Sequence, residues 1–223
     1  INQLTGLLAD PYFSGTKLSW MLEKAGKRKD LFMGTIDTFL IWKLTEGKSY
    51  FMDATNASRT LLMDIRNISW SDDMCNLFNI PIEKLPEIKN SADDFGETYL
   101  FGGKIKISGV AGDQQAALFG QGCFEEGDAK STYGTGCFMM LNTGSKIKLS
   151  KSNLLTTVGY KIGGKVTYAL EGSIFMAGAS VQWLRDNLEF FNTAPEIESS
   201  AKKSNKNSNV FFIPAFTGLG APY

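Results

Sequence analysis

Ser108-Gly109-Val110-Ala111-Gly112-Asp113-Gln114-Gln115-Ala116-Ala117-Leu118-Phe119-Gly120 is the stretch on which the reading of this chain turns. Just before it, Lys104 to Val110 alternates polar and apolar residues, which predicts a strand. Gly112 lets the backbone turn, and a helix is expected from Ala116. Ligands of α/β sheets gather beyond the carboxyl ends of strands, at places of this kind. A carboxylate there, Asp113, projects into a crevice, and Gln114 offers an amide donor and an acceptor beside it. The bland alternative is that Asp113 only caps the helix, and the local pattern by itself favours that.

Upstream, Asp10 to Gly15 reads as a loop. A helix to Ala25, capped by Ser14 or Thr16, shows Leu18, Met21, Leu22 and Ala25 at the spacing of one buried face. Gly26 ends it, and Lys27 to Asp30 is a solvated link. A second helix is predicted over Thr35–Leu44, with Gly47 beyond it. Ser49–Asp53 and Arg59–Asp64 read as strands around a polar turn, Thr55–Ser58. Ser71–Phe78 is a helix, and Pro81–Phe95 is loop-rich.

Downstream, Asp128–Thr132, Cys137–Asn142, Leu154–Tyr160 and Lys165–Leu170 read as four strands, with Gly163-Gly164 marking a hairpin. Ser173–Phe191 is expected to be the longest helix. Pro195–Lys202 is a weaker one, and Asn209–Pro214 is a strand. The lysine-rich run Lys202 to Asn207 reads as a solvated loop.

Composition narrows the chemistry. Among 223 residues, Lys plus Arg and Asp plus Glu are 23 each, giving zero net charge, and there is no histidine. Histidine-based triads, acid–base steps and metal ligation are therefore excluded. Zero charge leaves no footprint for nucleic acid or an anionic membrane. The three cysteines, Cys75, Cys123 and Cys137, form no paired spacing, so neither a disulfide framework nor a zinc site is expected, and a reducing compartment fits. No apolar run approaches the ~18 residues of a membrane span. The chain begins at Ile1 and ends in a glycine-rich turn after an apolar run, which reads as an interior segment of a longer protein.

Two further stretches bear on function. Ser131-Thr132-Tyr133-Gly134-Thr135-Gly136-Cys137-Phe138 sets hydroxyls and backbone amides in a tight turn suited to a phosphate, though an ordinary hairpin is the commoner use of such a turn. It lacks the Gly-Lys-Ser/Thr ending of a P-loop. Ala169 to Leu184 reads as the N-terminal half of the long helix. Glycine inside a helix costs about 1 kcal/mol against alanine, so Gly178 points either to close packing or to nucleotide contact. Gln182 lies one turn on, on the same face.

Together with Asp10-Pro11-Tyr12-Phe13-Ser14-Gly15-Thr16-Lys17 and Pro214-Ala215-Phe216-Thr217-Gly218-Leu219-Gly220-Ala221-Pro222-Tyr223, these motifs resemble, in order and from end to end, the FGGY carbohydrate kinase family in its glycerol-phosphorylating branch. The resemblance implies an α/β, actin-like (ribonuclease H-like) ATPase fold with parts of two domains. Residues 1–121 would be the later part of the polyol-binding domain and residues 122–223 the beginning of the ATP-binding domain. It implies a cytoplasmic, ATP- and Mg²⁺-dependent transferase that makes glycerol 3-phosphate, homo-oligomeric (a dimer or tetramer) when complete. By motif position Asp113 is the catalytic base, and Tyr12, Gln114 and Phe138 contact the polyol. Thr135, Gly178 and Gln182 lie at the nucleotide. Other sugar kinases of the family, of xylulose or gluconate type, and a non-catalytic actin-like nucleotide-binding module are the alternatives. Part of each site lies outside the segment, so the segment alone is expected to be inactive.

Overall fold

The computed structural model describes residues 1–26 and 30–220. Three residues, 27–29, of the link read over Lys27–Asp30 and the last three residues of the terminal motif lie outside them. The chain divides into two compact units, Ile1–Lys130 with Met140–Glu171, and Ser131–Met139 with the residues from Gly172 onward.

The first unit opens with α1 (Asn2–Thr5), α2 (Ser14–Ala25), α3 (Ile36–Leu44), β1 (Phe51–Asp53) and α4 (Ala54–Ala57). It continues through β2 (Met63–Asp64), β3 (Ser69–Trp70), α5 (Asp72–Leu77), a 3-10 turn at Ile82–Lys84, β4 (Glu87–Lys89), β5 (Glu97–Thr98), β6 (Ile105–Lys106) and α6 (Asp113–Gly120). Then come β7 (Ala129–Tyr133), β8 (Cys137–Gly144), β9 (Leu155–Ile162) and β10 (Lys165–Ile174), which form one sheet in the order β7-β8-β10-β9. The boundaries between the units fall within β7, β8 and β10. In the second unit β10 is followed by α7 (Gly178–Asp186) and α8 (Glu196–Lys203).

Most expected elements form, with instructive exceptions. The helix to Ala25 starts at Ser14, but its N-cap is the extended Phe13 and no side chain caps it, so neither Ser14 nor Thr16 has that role. Leu18 and Leu22 pack on the buried cluster of Met33, Leu62, Cys75, Ile80 and Leu85, while Met21 is 57% exposed. The polar turn after β1 is a full helical turn, because Asp53 caps it through the backbone amides of Thr55 and Asn56. The loop-rich segment conceals β4, which pairs in parallel with β1 from Phe51↔Glu87 to Asp53↔Lys89. Gly163 and Gly164 both adopt left-handed φ, as the two-residue hairpin between β9 and β10 requires.

Two expectations are corrected. Ser173 does not begin a long helix. Cross-strand pairing that includes Leu170↔Thr156 and Glu171↔Leu155 keeps the chain extended, β10 continues to Ile174, and the helix covers only Gly178–Asp186. Gly178 is therefore the first residue of α7 and not an interior glycine. Among the described residues the longest α-helix is α2, with 12 residues. Asn209–Pro214 belongs to no strand, and Val210 and Phe211 are 86% and 85% exposed.

The core of the first unit gathers beneath α4 and β9. Met52, Ala54, Ala57, Met63, Ile65, Val158 and Tyr168 form one buried cluster. A second joins Leu118 of α6 to Cys123, Met140 and Ala169, so α6 is seated on the sheet by its own apolar side chain.

Candidate functional site

The first unit contains a cavity of about 680 Å³, a volume typical of small-molecule sites. Tyr12, Asp113 and Gln114 all line it, so three of the residues singled out from sequence come together there.

The turn that delivers Asp113 is fixed from below. Asp53 is fully buried, and its carboxylate accepts from the Thr55 and Asn56 amides, the Thr55 hydroxyl, the Asn56 amide group and the Ser91 hydroxyl, at 2.8–2.9 Å. Thr55 Oγ1 in turn accepts the Gly112 N–H at 2.8 Å. From the other side, the buried Gln115 donates to Thr157 Oγ1 at 3.3 Å. Gly112 is the extended N-cap of α6, and no side chain caps that helix. Asp113 is its first residue and is exposed. The capping alternative therefore fails: this carboxylate is held at the cavity wall and open to a ligand. Its Oδ2 accepts from Gln114 Nε2 at 3.2 Å. Gln114 Oε1 accepts from the ammonium group of Lys130, which is buried on β7.

Three lining residues received no role from sequence. Arg59 donates to Glu171 Oε1 at 2.9 Å, with side-chain exposures of 18% and 3%. Its guanidinium lies 5.2 Å over the Phe13 ring. The second ends of this pair, Arg59 Nη1 and Glu171 Oε2, are buried without hydrogen-bond partners. Asp37, on α3, accepts from the Thr35 hydroxyl. Burial, reinforced by the charge of Asp53, holds its carboxyl above the ordinary 3.8 despite hydrogen bonds that pull the other way. An aspartate in a Thr-x-Asp helix start is ordinarily read as a capping group, and nothing local distinguishes Arg59 or Glu171 from surface charge.

In the second unit the Tyr133–Gly136 turn is joined to the start of α7. Gly134 O accepts the Gly178 N–H at 2.8 Å, and Thr135 O accepts the N–H groups of Ala177 and Ala179 at 2.8 and 3.2 Å. The close approach explains two glycines. A Cβ on Gly178 would stand 2.6 Å from Gly134 O, and one on Gly136 would stand 2.8 Å from Ile174 O. The carbonyls of the turn take up the first amides of α7, and the side chains of Tyr133 and Thr135 in the turn and Gln182 on α7 are exposed. Phe138 lies half-buried on β8 in the same unit. No group of three or more His, Cys, Asp or Glu side chains that could hold a metal forms among the described residues.

Comparison with known proteins decides the family. The N-terminal domain of the FGGY family of carbohydrate kinases matches residues 1–120, and its C-terminal domain matches residues 129–223. The chain belongs to the FGGY family of carbohydrate kinases. Among curated FGGY relatives, glycerol kinases of Alteromonas mediterranea and Roseobacter denitrificans are 58% and 56% identical over the whole chain. The chain spans about half the length of the curated relatives it matches, 47% in both cases. The structure of Plasmodium falciparum glycerol kinase with ADP superposes with a TM-score of 0.90 and 41% identity, covering 99% of this chain and 46% of that one. A xylulose-type kinase from Brucella ovis, with a TM-score of 0.84, 19% identity and coverage of 100% of this chain and 46% of its own, shares the fold. The α/β, actin-like ATPase fold expected from the FGGY motifs is thus the fold of this chain.

Proposed function

We propose that this chain is part of an ATP:glycerol 3-phosphotransferase, with residues up to about Gln121 belonging to the polyol-binding domain and the remainder opening the ATP-binding domain. The observation that carries the reading is Asp113. It is an exposed carboxylate on the first residue of α6, at the wall of a cavity that Tyr12 and Gln114 also line. The relatives named glycerol kinase support glycerol as the alcohol.

Phosphoryl transfer has a loose transition state, so positioning and charge neutralisation are its main demands. Asp113 accepts the proton of a terminal hydroxyl as that oxygen forms its bond to the γ-phosphorus of ATP and the bond to the ADP oxygen breaks. Gln114 and the Tyr12 hydroxyl hold the other oxygens of the triol, and the Phe138 ring lies along its carbon chain. Thr135 meets the nucleotide phosphates, with Gly178 and Gln182 beside the nucleotide. Backbone packing between the turn and α7 accounts for Gly136 and Gly178, and the nucleotide roles rest on the position of these motifs in the family's C-terminal domain. Mg²⁺ carried by the nucleotide would supply further neutralisation of phosphate charge. Three buried thiols fit a cytoplasmic protein. No helix among the described residues is long and apolar enough to cross a membrane.

The test is a substrate panel on the full-length protein that carries this chain, with ATP and glycerol, xylulose or gluconate as acceptors. Glycerol is expected to be preferred in kcat/KM. Preference for a pentulose or for gluconate would overturn the substrate assignment, and absence of transfer to any acceptor would favour a non-catalytic nucleotide-binding module.

A further inference from the structure

Lys130 is 2% exposed, unusual for a lysine, which is almost never fully buried without a partner. Its ammonium group donates to Gln114 Oε1. An ammonium carries three donors and no acceptor, so it dictates which end of the Gln114 amide it meets. The carbonyl oxygen must face Lys130, and the NH₂ group is thereby turned toward the cavity side, where it donates to Asp113 Oδ2 at 3.2 Å. With the amide reversed, a carbonyl oxygen would face the carboxylate and repel it.

Resting on the function proposed above, we propose that Lys130 is a positioning residue for the reaction. It acts through Gln114 to orient the Asp113 carboxylate and to make Gln114 a pure donor toward the polyol. One N–H of the amide serves Asp113, and the other is available to a substrate oxygen. The consequence for specificity is that the substrate atom meeting Gln114 must be an acceptor, which a hydroxyl or carbonyl oxygen satisfies and an ammonium does not.

The test uses the full-length protein with glycerol and ATP. Lys130→Met keeps most of the apolar stem and removes the donor. It is expected to lower kcat on the order of tenfold to a hundredfold, the scale of a misplaced reacting group, while the KM for ATP stays within about twofold. Lys130→Arg, which still donates, is expected to recover part of the loss. In a Gln114→Ala background, Lys130→Met is expected to cost less than about threefold, because the relay is already broken. Unchanged kcat in Lys130→Met, or an equal loss in both backgrounds, would overturn the proposal, the latter by showing a general structural role. If Lys130→Met does not fold, Gln114→Glu tests the relay from its other end. A carboxylate there keeps the lysine bond but loses the N–H to Asp113, and full kcat in that variant would overturn the proposal. Failure of the parent protein to phosphorylate glycerol would instead overturn the functional reading beneath it, and this inference with it.

Discussion

The hydroxyl of Thr55 accepts the backbone N–H of Gly112 at 2.8 Å, across 57 positions of sequence. Because Asp53 holds Thr55 through both its amide and its hydroxyl, the turn that presents Asp113 is tied to a fully buried carboxylate beneath it. Thr55→Val keeps the shape and removes the acceptor. It should cost about 1–3 kcal/mol, the penalty for an unpaired buried polar group, and lower kcat more than it raises KM. Thr55→Ser should retain both. Chemical denaturation and steady-state kinetics on the full-length protein measure the two effects.

The Arg59–Glu171 pair makes one hydrogen bond and leaves two buried atoms unpartnered. Removing one partner strands the other charge. Glu171→Gln or Arg59→Met should each destabilise by about 3 kcal/mol, and the double replacement by methionine should cost less than the sum of the single changes. A double-mutant cycle by urea unfolding gives the coupling.

Gly178→Ala sets a methyl group 2.6 Å from the Gly134 carbonyl oxygen. The expected cost is about 1–3 kcal/mol of strain, with the nucleotide Kd weakened and glycerol binding unchanged. Gly120→Ala is the control. A Cβ there meets nothing within 4 Å, so alanine should be neutral or slightly stabilising. Calorimetric titration with ADP separates the two variants.

Burial, aided by the charge of Asp72, pushes the Cys75 thiol from its ordinary 9.0 up to about 11. A folded value above the unfolded one means stability that is fully present below pH 9 and lost as pH rises through about 11. At pH 8 the thiolate is roughly a hundredfold scarcer than in an unperturbed thiol, so alkylation of Cys75 in the native protein should lag the denatured chain at least that much. Mass spectrometry of iodoacetamide-treated protein reads this directly.

The helix carrying Asp113 is legible from a glycine followed by an acid, though it starts at Asp113 itself, and of the strand expected over Lys104–Val110 only Ile105–Lys106 forms. The four strands from Ala129 to Ile174 are legible too, with Gly163-Gly164 marking the hairpin. The helix expected from Ser173 starts only at Gly178: β10, paired with β9 as far as Glu171, stays extended to Ile174. Strand β4 leaves no local signal, because three residues pair with a partner more than thirty positions away. Arg59, Asp37 and Glu171 are unreadable as cavity residues, since their burial arises from elements distant in sequence. Lys130 is hidden likewise: only the fold brings its ammonium group to Gln114.

The most direct measurement is turnover of the Asp113→Asn variant of the full-length protein with glycerol and ATP, beside its affinity for ADP. The asparagine side chain keeps the size and removes the proton acceptor. Because Asp113 is exposed, stability should change by no more than about 0.5 kcal/mol. Glycerol 3-phosphate formation is expected to fall on the order of a thousandfold or more with ADP affinity preserved. Turnover within a few-fold of the parent protein would contradict the account.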